Sequence, residues 1–434
     1  MVLFTKTALL ATLLASVVAT DAPTCKPGQK CPTDKPCCSQ YGQCGVGAYC
    51  LGGCDPISSN SLNSCVPEPV CQSKSYTWND LNAVQPNTKY LGNASAADWV
   101  SSGQPLTSGG NLLLTMAPNT VGTLLASNHL VWYGKISAKL KTSRGQGVVT
   151  AFILLSDVKD EIDWEFIGVD LQVGQTNFYS QGVLDYHNEV NASVSDTFNN
   201  WHTYEIDWKP DTVTWTIDGN SVRTLKRSDT WNATANRYDY PQTPSRVQLS
   251  LWPAGLPTNG EGTIAWAGGV IDWNSEDIKQ HGYYYATFGE VDIKCYDPPS
   301  GANVQGSNSY VFTDVAATNN TVEITNNPTV LKSFLGTGTN MTAGAVSSAS
   351  GTAASASAAA SDSIPGQNGV SGSGGSAQSN PNFNSTNTGS NSSSTGFSQG
   401  GTSTTKSGAS SQSERVLQGS LFAVLVAVVV LVAM

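Results

Sequence analysis

The sequence contains few histidines and few charged residues, and each shortage excludes a class of protein. Only 12% of the 434 residues are charged, and the net charge is −10. An acidic balance of this kind argues against nucleic acid as a partner. The histidines are scattered without the spacing of a metal site, and we assign no catalytic role to any of them: His129, His187, His202 and His281. The sequence therefore predicts no metal and no other cofactor.

A long segment with a 3.6-residue apolar period is also absent, which argues against a helical fold. Strand-like runs recur instead, separated by turns rich in Gly, Pro and Asn. Asp218-Gly219 between two alternating runs is a strong hairpin signal. These features predict an all-β sandwich or jelly roll over about residues 75–300. The predicted strands are Asn111–Met116, Leu130–Lys139, Gly147–Leu155, Trp201–Lys209, Thr212–Ile217, Arg246–Leu251 and Tyr283–Cys295.

The most informative strand is Glu-Ile-Asp-Trp-Glu-Phe-Ile, residues 161–167. Side chains alternate between the two faces of an extended chain, so Glu161, Asp163 and Glu165 share one face. The residues between them are apolar, β-branched or aromatic, and suit a half-buried sheet. The segment is therefore expected to pack one face on a core and to present three carboxylates on the other.

Three like charges in a row repel one another, so the arrangement favours acids with different tasks and different pKa values. Retaining glycoside chemistry uses one carboxylate as nucleophile and a second, protonated carboxyl as acid. The difficulty is distance, because the Cα atoms of Glu161 and Glu165 lie ~13 Å apart on a strand, whereas retaining carboxyl groups are ~5–5.5 Å apart. A solvated acidic face and a calcium site that includes Asp160 are the alternatives.

The segment Asp-Glu-Ile-Asp-Trp-Glu-Phe-Ile-Gly, residues 160–168, resembles the active-site strand of glycoside hydrolase family 16, and within it the Crh family of fungal cell-wall transglycosylases. The resemblance covers roughly residues 75–300. It implies a concave-sheet jelly roll with Glu161 as nucleophile, Asp163 as its helper and Glu165 as general acid and base.

A second strand offers candidate substrate contacts. Gln248 and Trp252 share one face of Arg-Val-Gln-Leu-Ser-Leu-Trp-Pro, and a polar and aromatic face suits the wall of a sugar cleft, since solvent faces seldom need an exposed Trp. Gly-Thr-Ile-Ala-Trp, residues 262–266, continues the resemblance. Thr263 is a further sugar contact beside Glu165, and Trp266 either stacks on a sugar or packs within the fold. In the alternating segment 201–208 we expect His202 and Trp208 to pack in the core.

The head of the chain, about residues 22–71, is rich in cysteine. Nine of the 10 cysteines lie there, and so short a unit needs disulfides in place of a large core. Cys-Cys-Ser-Gln-Tyr-Gly-Gln-Cys-Gly, residues 37–45, resembles the hevein-like chitin-binding module. The resemblance implies Ser39, Tyr41 and Tyr49 as sugar contacts, with Gln43 at a position that is usually aromatic. A disulfide knot that only docks or spaces the next domain is the alternative.

Two cysteines are left over from that pattern, Cys71 and Cys295. They bracket the central domain, so a bridge between its first and last strands is one pairing. Cys71 with Cys65 is the other, and sequence does not decide between them.

Both ends of the chain carry targeting patterns. A basic start and a short apolar run predict a signal peptide over residues 1–20. Residues 301–409 are rich in Ser, Gly, Ala and Thr and predict a flexible stalk. A small-residue site at Gly408, a polar spacer and an apolar tail predict a GPI attachment signal over residues 410–434, with a short transmembrane anchor as the alternative. We expect a secreted protein that is held at the outer membrane face and cell wall by a GPI lipid.

Seven sequons permit N-glycosylation of an exported chain: Asn93, Asn191, Asn232, Asn319, Asn340, Asn384 and Asn391.

The resemblance implies an enzyme that cleaves chitin with retention and transfers it to β-glucan or chitin, crosslinking a fungal wall. If water replaces the sugar acceptor, the same chemistry gives a retaining endo-hydrolase of chitin or β-1,3-glucan. A non-catalytic jelly-roll lectin is the third hypothesis.

Overall fold

The computed structural model describes residues 23–183 and 185–345. Among these residues, every helix is too short or too polar to span a bilayer. Several predictions fall on other parts of the chain and lie outside the described residues. They are the signal peptide, the stalk beyond residue 345, the GPI signal with Gly408, and the sequons at Asn384 and Asn391.

The described chain is built mainly from strands. In order they are β1 Cys37–Cys38, β2 Cys44–Gly45, β3 Glu68–Pro69, β4 Lys74–Tyr76, β5 Val84–Pro86, β6 Trp99–Ser102, β7 Pro105–Ser108, β8 Asn111–Met116, β9 Thr123–Ser127, β10 Gly134–Lys141, β11 Val148–Ser156, β12 Glu161–Ile167, β13 Val173–Tyr179, β14 Val190–Ser193, β15 His202–Trp208, β16 Thr212–Ile217, β17 Asn220–Lys226, β18 Trp231–Asn232, β19 Arg237–Tyr238, β20 Ser245–Pro253, β21 Tyr284–Cys295, β22 Asn303–Val304, β23 Ser309–Phe312 and β24 Val322–Thr325. The helices are α1 Glu261–Trp266 and α2 Glu276–His281, with 3-10 turns at Gly47–Cys50, Leu62–Ser64, Tyr186–Asn188, Arg227–Thr230 and Asn319–Thr321.

Two large sheets form a sandwich. The first, which we call the site sheet, has the order β14-β13-β12-β11-β20-β9-β6-β5. The second, the back sheet, has the order β17-β16-β15-β10-β21-β8-β7, with β4 also paired to β21. Nearly all neighbouring strands are antiparallel, and β5 with β6 is the parallel exception among the pairs in these two sheets. The predicted all-β jelly roll is confirmed.

The core lies between the two sheets and follows the period-two alternation of the strands. Ile162, Trp164 and Phe166 of β12 join one buried cluster with Tyr204 and Trp208 of β15. Burying a side chain such as Ile162 or Phe166 contributes about 1.5–3 kcal/mol. The opposite face of β12 is consequently free to carry the acids. His202 and Trp208 are both buried, as expected.

The strands predicted from sequence all exist, with ends shifted by a few residues. The predicted run from Leu130 begins later, at Gly134, and Tyr133 just before it has a positive φ of 65°. The hairpin joining β16 and β17 turns at Asp218 and Gly219, with φ of 51° and 80°. Two successive positive φ values are what a tight two-residue hairpin requires.

Disulfides join all ten cysteines. Within the head, the pairs are Cys25–Cys38, Cys31–Cys44, Cys37–Cys50 and Cys54–Cys65. Cys71 pairs with Cys295 at the end of β21, which decides the alternative that the sequence left open. This bridge closes the central domain at its two ends.

The head packs directly on the central domain. The backbone N–H of Gly53 donates to Asp157 at 2.9 Å, and Arg246 donates to the Gln40 side-chain oxygen at 2.5 Å. In the central domain, Asp157 lies in the turn after β11 and Arg246 lies in β20. The head is therefore docked against the site sheet, which agrees with the docking alternative.

The predicted start of the stalk at residue 301 is wrong, because the chain stays folded to residue 345. Strands β22 and β23 flank β24, and β23 also pairs with β3. Tyr310, Val322 and Ile324 add to the main core. Leu331 packs with the head. These few apolar residues, spaced among Ser, Thr and Asn, are enough to anchor the segment because the sandwich already supplies the other side of the contact.

Candidate functional site

The acid row of β12 consists of Glu161, Asp163 and Glu165. The strand pairs without a bulge to β11 on one side and to β13 on the other, so the three side chains share the outer face of the site sheet. Glu161 is 6% exposed and Asp163 is 1% exposed, while Glu165 is half-buried. The row is therefore sheltered from bulk water, unlike a solvated acidic face.

The side chains that neighbour the acid row on the site sheet are apolar on one side and polar on the other. Across β11, the acids face Leu155, Ile153 and Ala151, which form a small apolar cluster of their own. Across β13 they face polar side chains, since Glu161 pairs with Tyr179, Asp163 with Asn177 and Glu165 with Gln175. Such a face offers hydrogen bonds for sugar hydroxyls on one side of the acids and contact for a ring on the other.

Asp163 and Glu161 are linked through their carboxyl groups. Neither carboxyl oxygen of Asp163 meets an N–H or O–H group at hydrogen-bonding geometry in the described part of the chain. The hydrogen bond that joins Asp163 to Glu161 must therefore use a proton carried by one of the two carboxyls. A protonated Asp163 that donates to an ionised Glu161 fits this requirement.

The pKa values of the row are all raised, to different degrees and for different reasons. Burial raises the pKa of Glu161 to about 7, while the hydrogen bond with Asp163 and the charge of Lys159 oppose the rise. Burial, and then the negative charges of Glu161 and Glu189, raise the pKa of Glu165 to about 8. For Asp163, burial and the charges of both glutamates raise the pKa well above its ordinary value.

These causes separate the two glutamates in the order that retaining chemistry needs. Glu161 has a donor that favours its ionised form, whereas Glu165 has only like charges that favour its protonated form. Strand register places both glutamates on the same face of β12, four steps apart along the strand.

The strand is held from below by aromatic side chains of the back sheet. The indole N–H of Trp215 donates to the backbone carbonyl of Asp163 at 2.9 Å. Trp164 donates across the sandwich to the carbonyl of Glu205 at 3.2 Å. Arg223 stacks on Trp215, 4.6 Å from the ring centre. These contacts fix the backbone that carries the acid row.

The predicted substrate contacts divide into two groups: Trp266 and Trp252 lie on the wall beside the acid row, and Gln248 lies against the head. Trp266 lies beside the acid row, because its indole N–H donates to Gln175, the partner of Glu165, at 2.9 Å. Trp252 stacks with Trp266 at 6.1 Å between ring centres, so it supports the same wall. Gln248 is buried and donates to Gln40 of the head at 3.4 Å.

Thr263 lies within α1 instead of on a strand. It is half-buried, and its carbonyl accepts the N–H of Ala267 at the end of that helix. Its predicted contact with a sugar stays a prediction.

The predicted sugar contacts of the head do not form an open surface. Ser39 and Tyr49 are buried. Tyr41 packs on the apolar cluster of the site sheet that contains Leu124 and Trp252. This placement supports docking of the head, and it leaves no exposed ring at these three positions for stacking on a polysaccharide.

Among the described residues, one group of potential metal ligands lies close together, formed by the sulfur atoms of Cys25, Cys31 and Cys38. All three sulfurs are in disulfides, and a metal ligand needs a thiolate. The group is therefore not a metal site.

Sequence reasoning missed the polar residues of β13 and β14 that complete the site. Gln175, Asn177 and Tyr179 alternate along β13, and Glu189 stands just before β14. The alternation of Gln-Thr-Asn-Phe-Tyr was a usable signal for a strand. The position of β13 beside the acid row depends on pairing between distant segments, and no local sequence pattern contains that information.

Comparisons with known proteins agree with this site. The sequence profile of Glycosyl hydrolases family 16 matches residues 93–268, which include the acid row and Trp266. Over 434 residues, the chain is 62% identical to Crh-like protein 2 of Aspergillus fumigatus, covering 98% of each chain. It is 48% identical over 346 residues to Congo red hypersensitive protein 2 of Saccharomyces cerevisiae, covering 79% of this chain and 74% of that protein.

Among solved structures, the chain is similar to the Crh5 transglycosylase in complex with NAG. The TM-score is 0.50 and the sequence identity is 29%, and the match covers 62% of this chain and 99% of that one.

Proposed function

Since the chain belongs to the Crh-like proteins of glycosyl hydrolase family 16, we propose that it is a retaining transglycosylase that cleaves chitin and transfers it to β-glucan or chitin. The family establishes an enzyme of the glycosidase or transglycosylase type. The single observation that carries the finer proposal is the acid row of β12, in which two glutamates flank an aspartate on one sheltered face of the site sheet.

In the first step, ionised Glu161 attacks the anomeric carbon of the donor sugar while protonated Glu165 donates its proton to the departing glycosidic oxygen. The bond from carbon to that oxygen breaks, and an ester to Glu161 forms. Asp163 supports this step by donating a hydrogen bond to Glu161, which holds the nucleophile in place and favours its ionised form.

In the second step, Glu165 is ionised and acts as a base. It removes the proton of an acceptor hydroxyl, whose oxygen attacks the anomeric carbon and releases Glu161. The configuration at that carbon is restored because it has been inverted twice. The enzyme then starts the next cycle with the same protonation states.

The acceptor decides between transfer and hydrolysis. A sugar hydroxyl gives transfer, and water gives shortened donor. The related Crh5 structure is that of a transglycosylase in complex with NAG, the repeating unit of chitin, which supports chitin as donor and transfer as outcome. The two-sided floor, apolar across β11 and polar across β13, supports binding of a polysaccharide across the site sheet.

We also propose export and a GPI lipid anchor at the outer face of the plasma membrane, with the cell wall as the place of action. Five disulfides support an oxidising compartment. The small-residue site, spacer and terminal apolar tail of the sequence support the anchor.

The test is to incubate the protein with chitin oligosaccharides and a labelled β-glucan oligosaccharide, and to look for labelled hybrids. We expect hybrids from the native protein and a loss of at least about 10³-fold for Glu161→Gln, which lacks the nucleophile. Glu290→Gln is the matched control, since Glu290 is exposed on the back sheet. Only shortened donor would favour the hydrolase, and binding without any product would favour the lectin.

A further inference from the structure

The head covers part of the outer face of the site sheet. Arg246 of β20 donates to Gln40 of the head at 2.5 Å. Tyr41 of the head packs on the apolar cluster that contains Leu124 of β9. At the opposite edge of the same face, Asn191 of β14 is exposed. The outer face is therefore covered over β20 and β9 and open at β14.

Strand register lines the covered region up with the acid row. From Glu165 the register passes through Ala151 of β11 and Ser250 of β20. It then reaches Leu124 of β9 and Ser102 of β6. Neighbouring strands lie ~4.8 Å apart, so β9 and β6 lie ~14 Å and ~19 Å from β12 along this line. A polysaccharide that crosses the site sheet over the acid row follows the same line and meets the head on its β9 side.

A cavity lies where this line meets the head. Its lining includes Gln40 and Tyr41 of the head and Leu124 of the site sheet. Counted with the solvent that it opens to, its volume is about 700 Å³, and small-molecule sites have volumes of ~300–1,000 Å³. On β6, Val100 packs on the apolar cluster that contains Leu51 of the head. The cavity therefore has room for a sugar unit, and the head closes this end of the outer face.

Two side chains of the cavity have polar atoms that the protein does not pair. Arg246 and Glu68 both line the cavity, and they are only 8% and 7% exposed. In the described part of the chain, neither Arg246 Nε nor Glu68 Oε1 has a hydrogen-bond partner. Buried polar groups are nearly always paired, so these two atoms indicate a polar ligand. A hydroxyl group both donates and accepts, and sugar hydroxyls can therefore satisfy both atoms.

We propose that this cavity, which we call the end site, binds the terminal N-acetylglucosamine unit of a chitin chain whose next units lie over β20 and β11 towards the acid row. This inference rests on the proposed function. Hydroxyl groups of the terminal unit accept from Arg246 Nε and donate to Glu68 Oε1, while Leu124 contacts the apolar face of the ring. Because the head closes the line beyond this unit, the number of units between the chain end and the cleaved bond is fixed.

The first test uses the native protein and needs no variant. Chitin oligosaccharides of increasing defined length, labelled at one end, are cleaved, and the fragment lengths are read by mass spectrometry. We expect the fragment on one side of the cleaved bond to keep one length while the other fragment grows with the substrate. Fragments of every length on both sides of the cleaved bond would overturn the proposal.

The second test fills the end site with Ser102→Phe, because Ser102 is half-buried and lines the cavity. Ser108→Phe is the matched control, since Ser108 is exposed on β7 of the back sheet. We expect the fragment of constant length to become one unit shorter in Ser102→Phe and to keep its native length in the control. The native fragment length in Ser102→Phe would contradict the proposal.

A binding measurement separates the end site from the proposed function. Affinity for chitin oligosaccharides is measured by calorimetry in the Glu161→Gln background, with and without Ser102→Phe. We expect Ser102→Phe to weaken binding of the longest oligosaccharide about 5-fold or more, because two hydrogen bonds are lost. If the native protein forms no hybrid product, this loss supports the end site and the proposed function alone fails. Equal affinities, with hybrids formed by the native protein, overturn the end site alone.

Discussion

At the scale of single residues, the site depends on the protons of its carboxyls. Three acids on one strand face are tolerated because they are not all ionised together. Asp163 accepts no hydrogen bond from a protein N–H or O–H group in the described structure and instead donates to the Glu161 carboxylate. The pKa values of Glu161 and Glu165 are shifted by different neighbouring groups. Repulsion between neighbouring carboxylates would weaken an ordinary sheet. Here it is relieved because carboxyl groups with raised pKa values stay protonated.

The role of Asp163 predicts a shift in the acid limb of the pH profile. Its hydrogen bond lowers the pKa of Glu161, so Asp163→Ala is expected to raise that pKa and move the acid limb to higher pH, with a loss in kcat of about 10-fold or more. Asp163→Asn retains an N–H donor and should leave the limb nearer its native position. The limbs are read from kcat/KM between pH 4 and 9, and equal limbs for the two variants would contradict this role.

The buried acids also predict a pH-dependent cost in stability. The folded pKa of Glu165 is about 8, above its unfolded value, so its contribution is fully present below about pH 4 and is lost as the pH rises towards 8. Glu165→Gln, which is always neutral, should raise the free energy of unfolding by about 1–3 kcal/mol at pH 8.5.

Near pH 4 the same substitution should have little effect. The measurement is chemical unfolding of both proteins at the two pH values. A stabilisation of equal size at both would show that the gain does not come from the charge.

At the scale of elements, close backbone contacts decide how segments join. Gly92 precedes β6 and has a φ of 94°. A Cβ atom there would lie 1.9 Å from the backbone carbonyl oxygen of Thr329. Thr329 also donates its hydroxyl to the carbonyl of Gly92, and Leu331 donates its N–H to Leu91. This strand-like contact binds the segment after the sandwich to the central domain.

Gly92→Ala is therefore expected to destabilise the protein by about 2–4 kcal/mol, because both the φ and the space forbid a side chain. Gly262→Ala is the matched control, since Gly262 lies in α1 with ordinary φ and open space around it. Alanine in that helix should be neutral or slightly stabilising. Thermal melting of the two variants checks the prediction, and similar losses in both would contradict it.

At the scale of the whole molecule, the head, the central domain and the segment after the sandwich pack against one another. The head contributes Tyr49, Leu51 and Val66 to an apolar cluster with Tyr90 of the central domain and Leu331 of the segment after it. The head and the segment after the sandwich are thus mutually dependent. The site sheet receives its wall from α1, and the head packs on its β20 side.

This arrangement predicts different results for two truncations. A chain ending at residue 345 keeps β22 to β24 and Leu331, and should melt cooperatively at the temperature of the full chain. A chain ending at residue 300 loses those contacts, and should melt at least several degrees lower because buried apolar residues of the head and the core become exposed. Calorimetry of the two chains is the measurement. Equal melting temperatures would mean that residues 301–345 add nothing to the thermal stability of the protein.

Much of the fold was predictable because its signals are local. Period-two alternation marked β12, β15, β16 and β20, and Asp218-Gly219 marked a hairpin. The same alternation placed Glu161, Asp163 and Glu165 on one face. The boundary at residue 301 was wrong because a few apolar residues in a Ser-rich and Thr-rich segment give a weak pattern, whereas their packing on an existing core is strong.

The sequence alone determined which side chains of a strand point the same way, since that follows from backbone geometry and needs no partner. Only the tertiary structure decided which strands are neighbours, and so brought Gln175, Glu189 and Trp266 to the acids and Gln40 to Arg246. Pairing between distant segments depends on how the whole core closes, and the pKa values of the acids depend in turn on that closure, because burial is the largest cause of each shift.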